Sequence, residues 1–144
     1  MPRPSDVAVG TAIILLNDQN QVLLGKRRGA HAAGCWSLPG GWLDRSDSAT
    51  ADAVVREAWE ETGITAHSCQ KLTWTTEDHP ELGCRTVTLY HIARSYQWSG
   101  VPELREPHKN EGWHWFDLDK LPEPLFPGLA GILRIQHLED TGCI

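Results

Sequence analysis

Arg56-Glu57-Ala58-Trp59-Glu60-Glu61-Thr62-Gly63-Ile64 sets three carboxylates on one helical stripe, directly before a helix-stopping glycine. Glu57, Glu60 and Glu61 stand at i, i+3 and i+4, so on a helix their side chains converge. Like charges at that spacing destabilise a helix by roughly 0.2–0.5 kcal/mol per pair. They also occupy the last turn before Gly63, where the negative end of the macrodipole disfavours anions by roughly 0.3–1 kcal/mol each. Local physics therefore opposes the cluster twice. One reading is a solvated acidic face, part-neutralised by Arg56 or by the run Lys26-Arg27-Arg28. The other is a hard divalent metal that takes several oxygen ligands.

Leu38-Pro39-Gly40-Gly41-Trp42-Leu43-Asp44, just upstream, favours the metal. Its two glycines let the backbone approach a ligand closely, and the proline fixes the way in. A glycine loop that feeds an acidic helix can offer backbone carbonyl and carboxylates to one cation. With these residues in view, the chain resembles the Nudix hydrolases, whose signature is G-x5-E-x7-R-E-U-x-E-E-x-G-U with U apolar. Gly41, Arg56, Glu57, Ala58, Glu60, Glu61, Gly63 and Ile64 supply eight of its nine defined positions. The ninth is displaced. Counted from Gly41, the first glutamate falls on Asp47; counted back from Arg56, it falls on Ser48. The stretch is one residue too long. Asp47 or Ser48 is expected to cap the helix, and the two turns that carry the glutamates are expected to be unaffected.

The rest of the chain bounds the function. Its 144 residues suffice for one domain, residues 1–144, with a real core. Hydrophobic content of 40% and a mean hydropathy of −0.37 suit a soluble globular protein. A formal net charge of −6 argues against binding a nucleic-acid polymer, although bound dications would reverse the local field for a phosphate substrate. Cys35, Cys69, Cys84 and Cys143 show no metal-site spacing and read as reduced thiols in a cytoplasmic protein. The apolar run 7–16 is too short to span a membrane and reads as a buried strand.

Along the chain, Asn17–Gln21 reads as a hairpin turn between strands 7–16 and 22–28. A helix is expected from about Ser48 to Thr62, packing Ala51, Val54, Val55, Ala58 and Thr62. Further strands are expected at 64–76 and 85–96, separated by polar Glu77–Gly83. A long loop 97–110, a strand 112–117 and an amphipathic helix 125–138 complete the expectation. Strands mixed with two helices indicate an α/β layered domain. The resemblance sharpens this to the Nudix fold, a mixed β-sheet sandwiched between α-helices. It covers nearly the whole chain. Leu23-Leu24-Gly25-Lys26-Arg27-Arg28, Glu111-Gly112-Trp113-His114-Trp115 and Leu121-Pro122 are similar to the small nucleotide-diphosphatase branch.

That resemblance implies magnesium as cofactor, with manganese a substitute, and a nucleotide or other diphosphate as the small-molecule partner. It is compatible with a homodimer. Glu57 and Glu61 are the first candidate metal ligands, with Glu60 close behind and the Gly40 carbonyl a further oxygen. Glu57, Glu60 and Glu111 are the candidate catalytic carboxylates, and Glu111 is also a candidate ligand. Arg56 is expected to hold the glutamates by bidentate pairing. For substrate, the candidates are Arg27, Arg28, Gly41 and the two tryptophans that flank the glycine loop, Trp36 and Trp42. Strand alternation allows only one of Arg27 and Arg28 to point inward. Trp59, Trp74 and Trp115 suit core or sheet positions. The activity expected is hydrolysis of a nucleoside triphosphate, an oxidised one included, to monophosphate and pyrophosphate. ADP-ribose, nucleotide sugars and isoprenoid diphosphates stand as alternative substrates. A nucleotide-binding sensor without turnover stands as the alternative from another class.

Overall fold

Val7–Leu15 (β1) is the buried strand that its apolar run indicates, and it is covered on both faces. The structure, a computed structural model, describes residues 7–29 and 31–140, with side chains up to 134. Cys143 lies outside the described residues. Successive side chains of β1 point to opposite faces and so feed two core layers. Ile13 and Leu15 pack with Val54 and Ala58 of α1 (Thr50–Thr62), while Ala12, Ile14 and Leu16 pack with Leu129, Ile132 and Leu133 of α2 (Leu129–Asp140). Each buried valine, leucine or isoleucine among them contributes about 1.5–3 kcal/mol.

β1 pairs antiparallel with β4 (Gly40–Trp42) and parallel with β7 (Cys84–Ala93), in a register running from Val7↔Arg85 to Leu15↔Ala93. β6 (Gln70–His79) completes this mixed sheet against β7. A second sheet sets β2 (Gln21–Arg27) between β3 (Trp36–Ser37) and β9 (Asn110–Asp117), and β5 (Thr65–Ala66) pairs with β8 (Trp98–Ser99). The mixed sheet lies between α1 and α2, which is the architecture expected. Among the described residues, no helix is long and apolar enough to cross a membrane.

Several expectations need correction. The turn after β1 forms, with Asn17 Oδ1 accepting the N–H groups of Gln19 and Gln21 and Asn20 at φ 56°. Its strands share only the bridge Leu16↔Val22 before they diverge into separate sheets, so this is no hairpin. The helix starts at Thr50, its N-cap is Ala49, and no side chain caps it. Asp47 is instead bonded to Arg56, and Ser48 Oγ donates to Asp52 at 2.6 Å. Ala53 takes the buried place expected of Ala51. The other end of α1 is as expected: Gly63, at φ 78°, donates its N–H to the Trp59 carbonyl.

β6 continues through Glu77 to His79 where a polar separator was expected. Glu77 and His79 are buried and find hydroxyl partners across the strands, so the ladder tolerates them. Loop 97–110 contains the short β8, and Asn110 already belongs to β9. Pro127 and Gly128, the latter at φ 86°, delay the last helix to Leu129. Trp115 packs in the α1-side layer and stacks on Trp98 with centroids 5.5 Å apart. Trp74 holds the sheet position expected of it, on β6 opposite Leu89, though 66% exposed. Trp59, on α1 and 50% exposed, is neither core nor sheet, and the Arg105 guanidinium covers its ring at 4.2 Å.

Candidate active site

β4 and α1 bring the glycine loop and the acidic helix together. Pairing of β4 with β1 runs through Pro39 and Leu43, with Ile13 N–H to the Pro39 carbonyl at 3.0 Å and Leu43 N–H to the Val9 carbonyl at 2.9 Å. Gly40 therefore turns its backbone the other way, toward α1, and its N–H donates to Glu61 Oε2 at 2.7 Å. An added side chain meets backbone at Gly40 and the end of a carboxylate side chain at Gly41. A Cβ on Gly40 would lie 2.2 Å from the Thr11 carbonyl oxygen, and one on Gly41 would lie 2.5 Å from Glu57 Oε1.

Glu57 and Glu61, one turn apart, face a cleft of about 550 Å³. Burial pushes the Glu61 carboxyl up to about 8, against the Gly40 hydrogen bond and reinforced by the charges of Glu57 and Glu106. Burial also raises Glu57, opposed by Arg56. The Arg56 guanidinium reaches Asp47 through Nε at 3.3 Å and Nη2 at 3.1 Å, Glu57 Oε1 at 3.1 Å and Glu60 Oε2 at 3.4 Å. Its bond to Asp47 holds Arg56 in the charged form and keeps the Asp47 carboxyl below the usual range. The extra residue after Gly41 is absorbed in the loop, and Asp47 anchors the arginine. Glu60 turns to Arg56 and solvent, its side chain 47% exposed, and does not line the cleft.

The structure separates the other candidates. Glu111 is exposed on β9 and outside the cleft, because alternation turns its neighbour Asn110 inward. The loop carboxylate that reaches the cleft is Glu106, which sequence reasoning missed. Its Oε1 is buried with no hydrogen-bond partner, and its Oε2 lies 3.5 Å from Lys109 Nζ. A single glutamate in an irregular loop carries no periodic signal. Its position depends on long-range bonds that fold the loop back, Glu103 N–H to the Thr62 carbonyl and Arg28 Nη1 to the Pro107 carbonyl at 3.1 Å.

Arg27 and Arg28 both line the cleft, where one was expected. A register shift lies between Gly25 and Arg27, and the strand ends at Arg27, so alternation does not govern Arg28. Arg27 lies 5.2 Å from the Phe126 ring centroid, and burial lowers its pKa, partly offset by Glu61. Arg28 is exposed at the rim. Trp42, 60% exposed, and Gly41 line the cleft. Trp36 does not; it packs edge-on to Phe116 within the core.

Glu57, Glu61 and Glu106 are a set of hard oxygen donors, partly buried, with one oxygen unpaired and one carboxyl whose ionisation burial opposes. This donor set fits a hard dication such as Mg²⁺ or Mn²⁺. His31, His79, Thr86, Thr88, Tyr90, Phe126 and Leu129 also line the cleft, a mixed surface with room for an organic group.

Comparison with known proteins accords with this layout. A family model described as the NUDIX domain matches residues 6–134. A putative 8-oxo-dGTP diphosphatase of Bacillus subtilis is 43% identical over 63 residues, which are 44% of this chain and 40% of that protein. The alignment thus spans less than half the length of that relative. An RNA pyrophosphohydrolase of Bartonella quintana is 30% identical, with 76% of each chain covered. Among solved structures, a MutT NUDIX hydrolase from Burkholderia pseudomallei superposes with a TM-score of 0.82 at 34% identity, covering 90% of this chain and 98% of that one. Acidic helix, glycine strand and mixed sheet between two helices agree with the family match over most of the length, and the chain belongs to the NUDIX family.

Proposed function

We propose that the protein is a magnesium-dependent diphosphatase that hydrolyses a nucleoside triphosphate, oxidised purine forms included, to the monophosphate and pyrophosphate. The observation that carries this reading is the lining of one cleft. Carboxylates Glu57, Glu61 and Glu106 and the Gly40–Gly41 backbone share it with aromatic and hydroxyl-bearing side chains, His31, Thr86, Thr88, Tyr90 and Phe126 among them. Glu57 and Glu61 hold the metal, with the Gly40 carbonyl beside them. When bound, the metal supplies charge neutralisation on the phosphoryl oxygens. Arg56, fixed by Asp47, keeps Glu57 in place. Glu106, with one oxygen unpaired, receives the proton of the attacking water. Arg27 and Arg28 meet the remaining phosphate charge, and Trp42 with Phe126 encloses the organic group. The similarity to the Bacillus putative 8-oxo-dGTP diphosphatase and the Bartonella RNA pyrophosphohydrolase supports diphosphate chemistry of this kind.

A hydrolysis panel tests the reading. It comprises normal and oxidised nucleoside triphosphates, ADP-ribose, nucleotide sugars, a prenyl diphosphate and 5′-triphosphorylated RNA, each with Mg²⁺ and with chelator. Pyrophosphate release from a triphosphate that stops on chelation is expected. Tight nucleotide binding without product from any panel member would replace the enzyme with a sensor.

A further inference from the structure

The cleft wall carries side chains that diphosphate hydrolysis leaves unused. Glu77, on the inner face of β6, is 8% exposed. Its carboxylate accepts hydroxyl protons from Thr75, from Thr86 at 3.1 Å and from Thr88 at 3.4 Å. A hydroxyl has one proton to give. With the Thr86 proton committed to Glu77, the 3.0 Å contact between Thr86 Oγ1 and His79 Nε2 takes its proton from the ring. In a neutral imidazole the lone pair then lies on Nδ1. That atom faces another acceptor, Glu81 Oε1, at 3.8 Å, and His31 Nδ1 approaches the same oxygen at 3.5 Å. One potential ligand atom from each of the three residues falls within 4.8 Å of the others.

We propose that His31, His79 and Glu81 form a second cation site on the cleft wall, for a borderline divalent metal such as zinc. Tetrahedral zinc holds nitrogen and oxygen ligands roughly 3.3 Å apart. The two separations from Glu81 Oε1, 3.5 Å to His31 Nδ1 and 3.8 Å to His79 Nδ1, close to that by small movements of Glu81. Its side chain is 59% exposed on the short turn Pro80–Leu82, and a shift of half-buried His31 brings the two imidazoles together. His79 is buried and oriented through Thr86 to Glu77, the arrangement in which a metal-binding histidine is fixed through its second nitrogen. His31 packs edge-on against the His79 ring at 4.8 Å and Phe126 at 6.0 Å. The donor sets discriminate: imidazoles favour zinc, whereas the all-oxygen cluster at Glu57 and Glu61 favours magnesium. Three protein ligands leave a fourth position open, and His31 and His79 both line the cleft. Metal at this site therefore meets whatever occupies the cleft.

The test is zinc binding by the untagged full-length protein in excess Mg²⁺, read by equilibrium dialysis with elemental analysis and by the visible spectrum of the Co²⁺ form. One zinc equivalent is expected in the wild type and in Glu61→Gln. His31→Ala and Glu81→Gln, both away from the core, should weaken it at least tenfold, and Thr86→Val by about 10–100-fold with every ligand still present. Cobalt should give a tetrahedral visible band without a thiolate band. Four results would overturn the site: no zinc retained by the wild type, which would assign the His79–Glu81 contact to a shared proton; zinc unchanged in His31→Ala and Glu81→Gln; zinc lost with Glu61→Gln; or a thiolate band that moves the metal to a cysteine. None of these readouts involves hydrolysis, so this site and the diphosphatase reading stand or fall separately.

Discussion

Glu106 and Glu111 are five positions apart, and only Glu106 reaches the cleft. Its Oε1 is buried and unpaired, and in the proposed function it takes the proton of water, a role typically worth 10²–10⁴-fold in rate. Glu106→Gln should lower kcat by about 10²-fold or more, and Glu111→Gln should leave it within about twofold. Steady-state kinetics on the best panel substrate check this; equal losses would return the role to β9. Asp47 makes a second residue-level case. Its carboxylate takes two guanidinium nitrogens of Arg56, so Asp47→Ala should free Arg56 to draw Glu57 out of the cleft. The expected result is a roughly tenfold loss of turnover with helix content unchanged, and little further loss when Arg56→Lys is added, because paired residues do not act additively. Full additivity of the two changes would show that the pair does not act as a unit.

The glycine strand and the acidic helix meet at two positions with opposite consequences. At Gly41 an added methyl would press on the far end of the Glu57 side chain, which can swing aside. Gly41→Ala should therefore fold normally and lose most of its activity. At Gly40 the obstacle is backbone, the Thr11 carbonyl at 2.2 Å and the Ala12 Cα at 2.9 Å. Gly40→Ala should lower the melting temperature by several degrees, since β1 and β4 must separate. Thermal melts alongside activity assays distinguish the two, and a stable, active Gly40→Ala would contradict the close strand approach. These elements were the legible part of the sequence. β1, α1 with its Gly63 stop, the glycine loop and β9 follow from short-range period and punctuation. Glu106 and the Glu77–His79 extension of β6 do not, because each depends on partners brought from distant strands and loops. The helix cap was misread for a related reason. The Asp47 carboxylate is taken by the Arg56 guanidinium and by the Asp44 N–H of its own loop, which leaves it no oxygen aimed at the N–H groups of the first helical turn.

For the molecule as a whole, the proposed metal site would link stability to both pH and metal. The Glu61 carboxyl is raised from an ordinary 4.5 to about 8, so folding favours its protonated form. The stability it contributes is fully present below about pH 4.5 and is lost as pH rises through about 8. His91, 1% exposed, is shifted the other way by burial, below its ordinary 6.5. Its contribution is present above that value and is lost as pH falls through the lowered one. Metal-free protein should therefore melt highest in mildly acidic buffer, lose stability progressively from about pH 4.5 to about pH 8, and level off above that. Mg²⁺ should reverse the alkaline loss, because a cation bound only by the native state at about 100 times its Kd adds about 2.7 kcal/mol. It should also bind more tightly as pH rises through 8, since Glu61 must release its proton to become a ligand. Glu61→Gln isolates the cause: it should flatten the alkaline limb in chelator and abolish most of the magnesium effect. Calorimetric melts at pH 6 and pH 9, with chelator and with Mg²⁺, decide the matter. An alkaline limb that persists unchanged in Glu61→Gln would place the linked proton on another group and remove the link between this buried carboxylate and the metal.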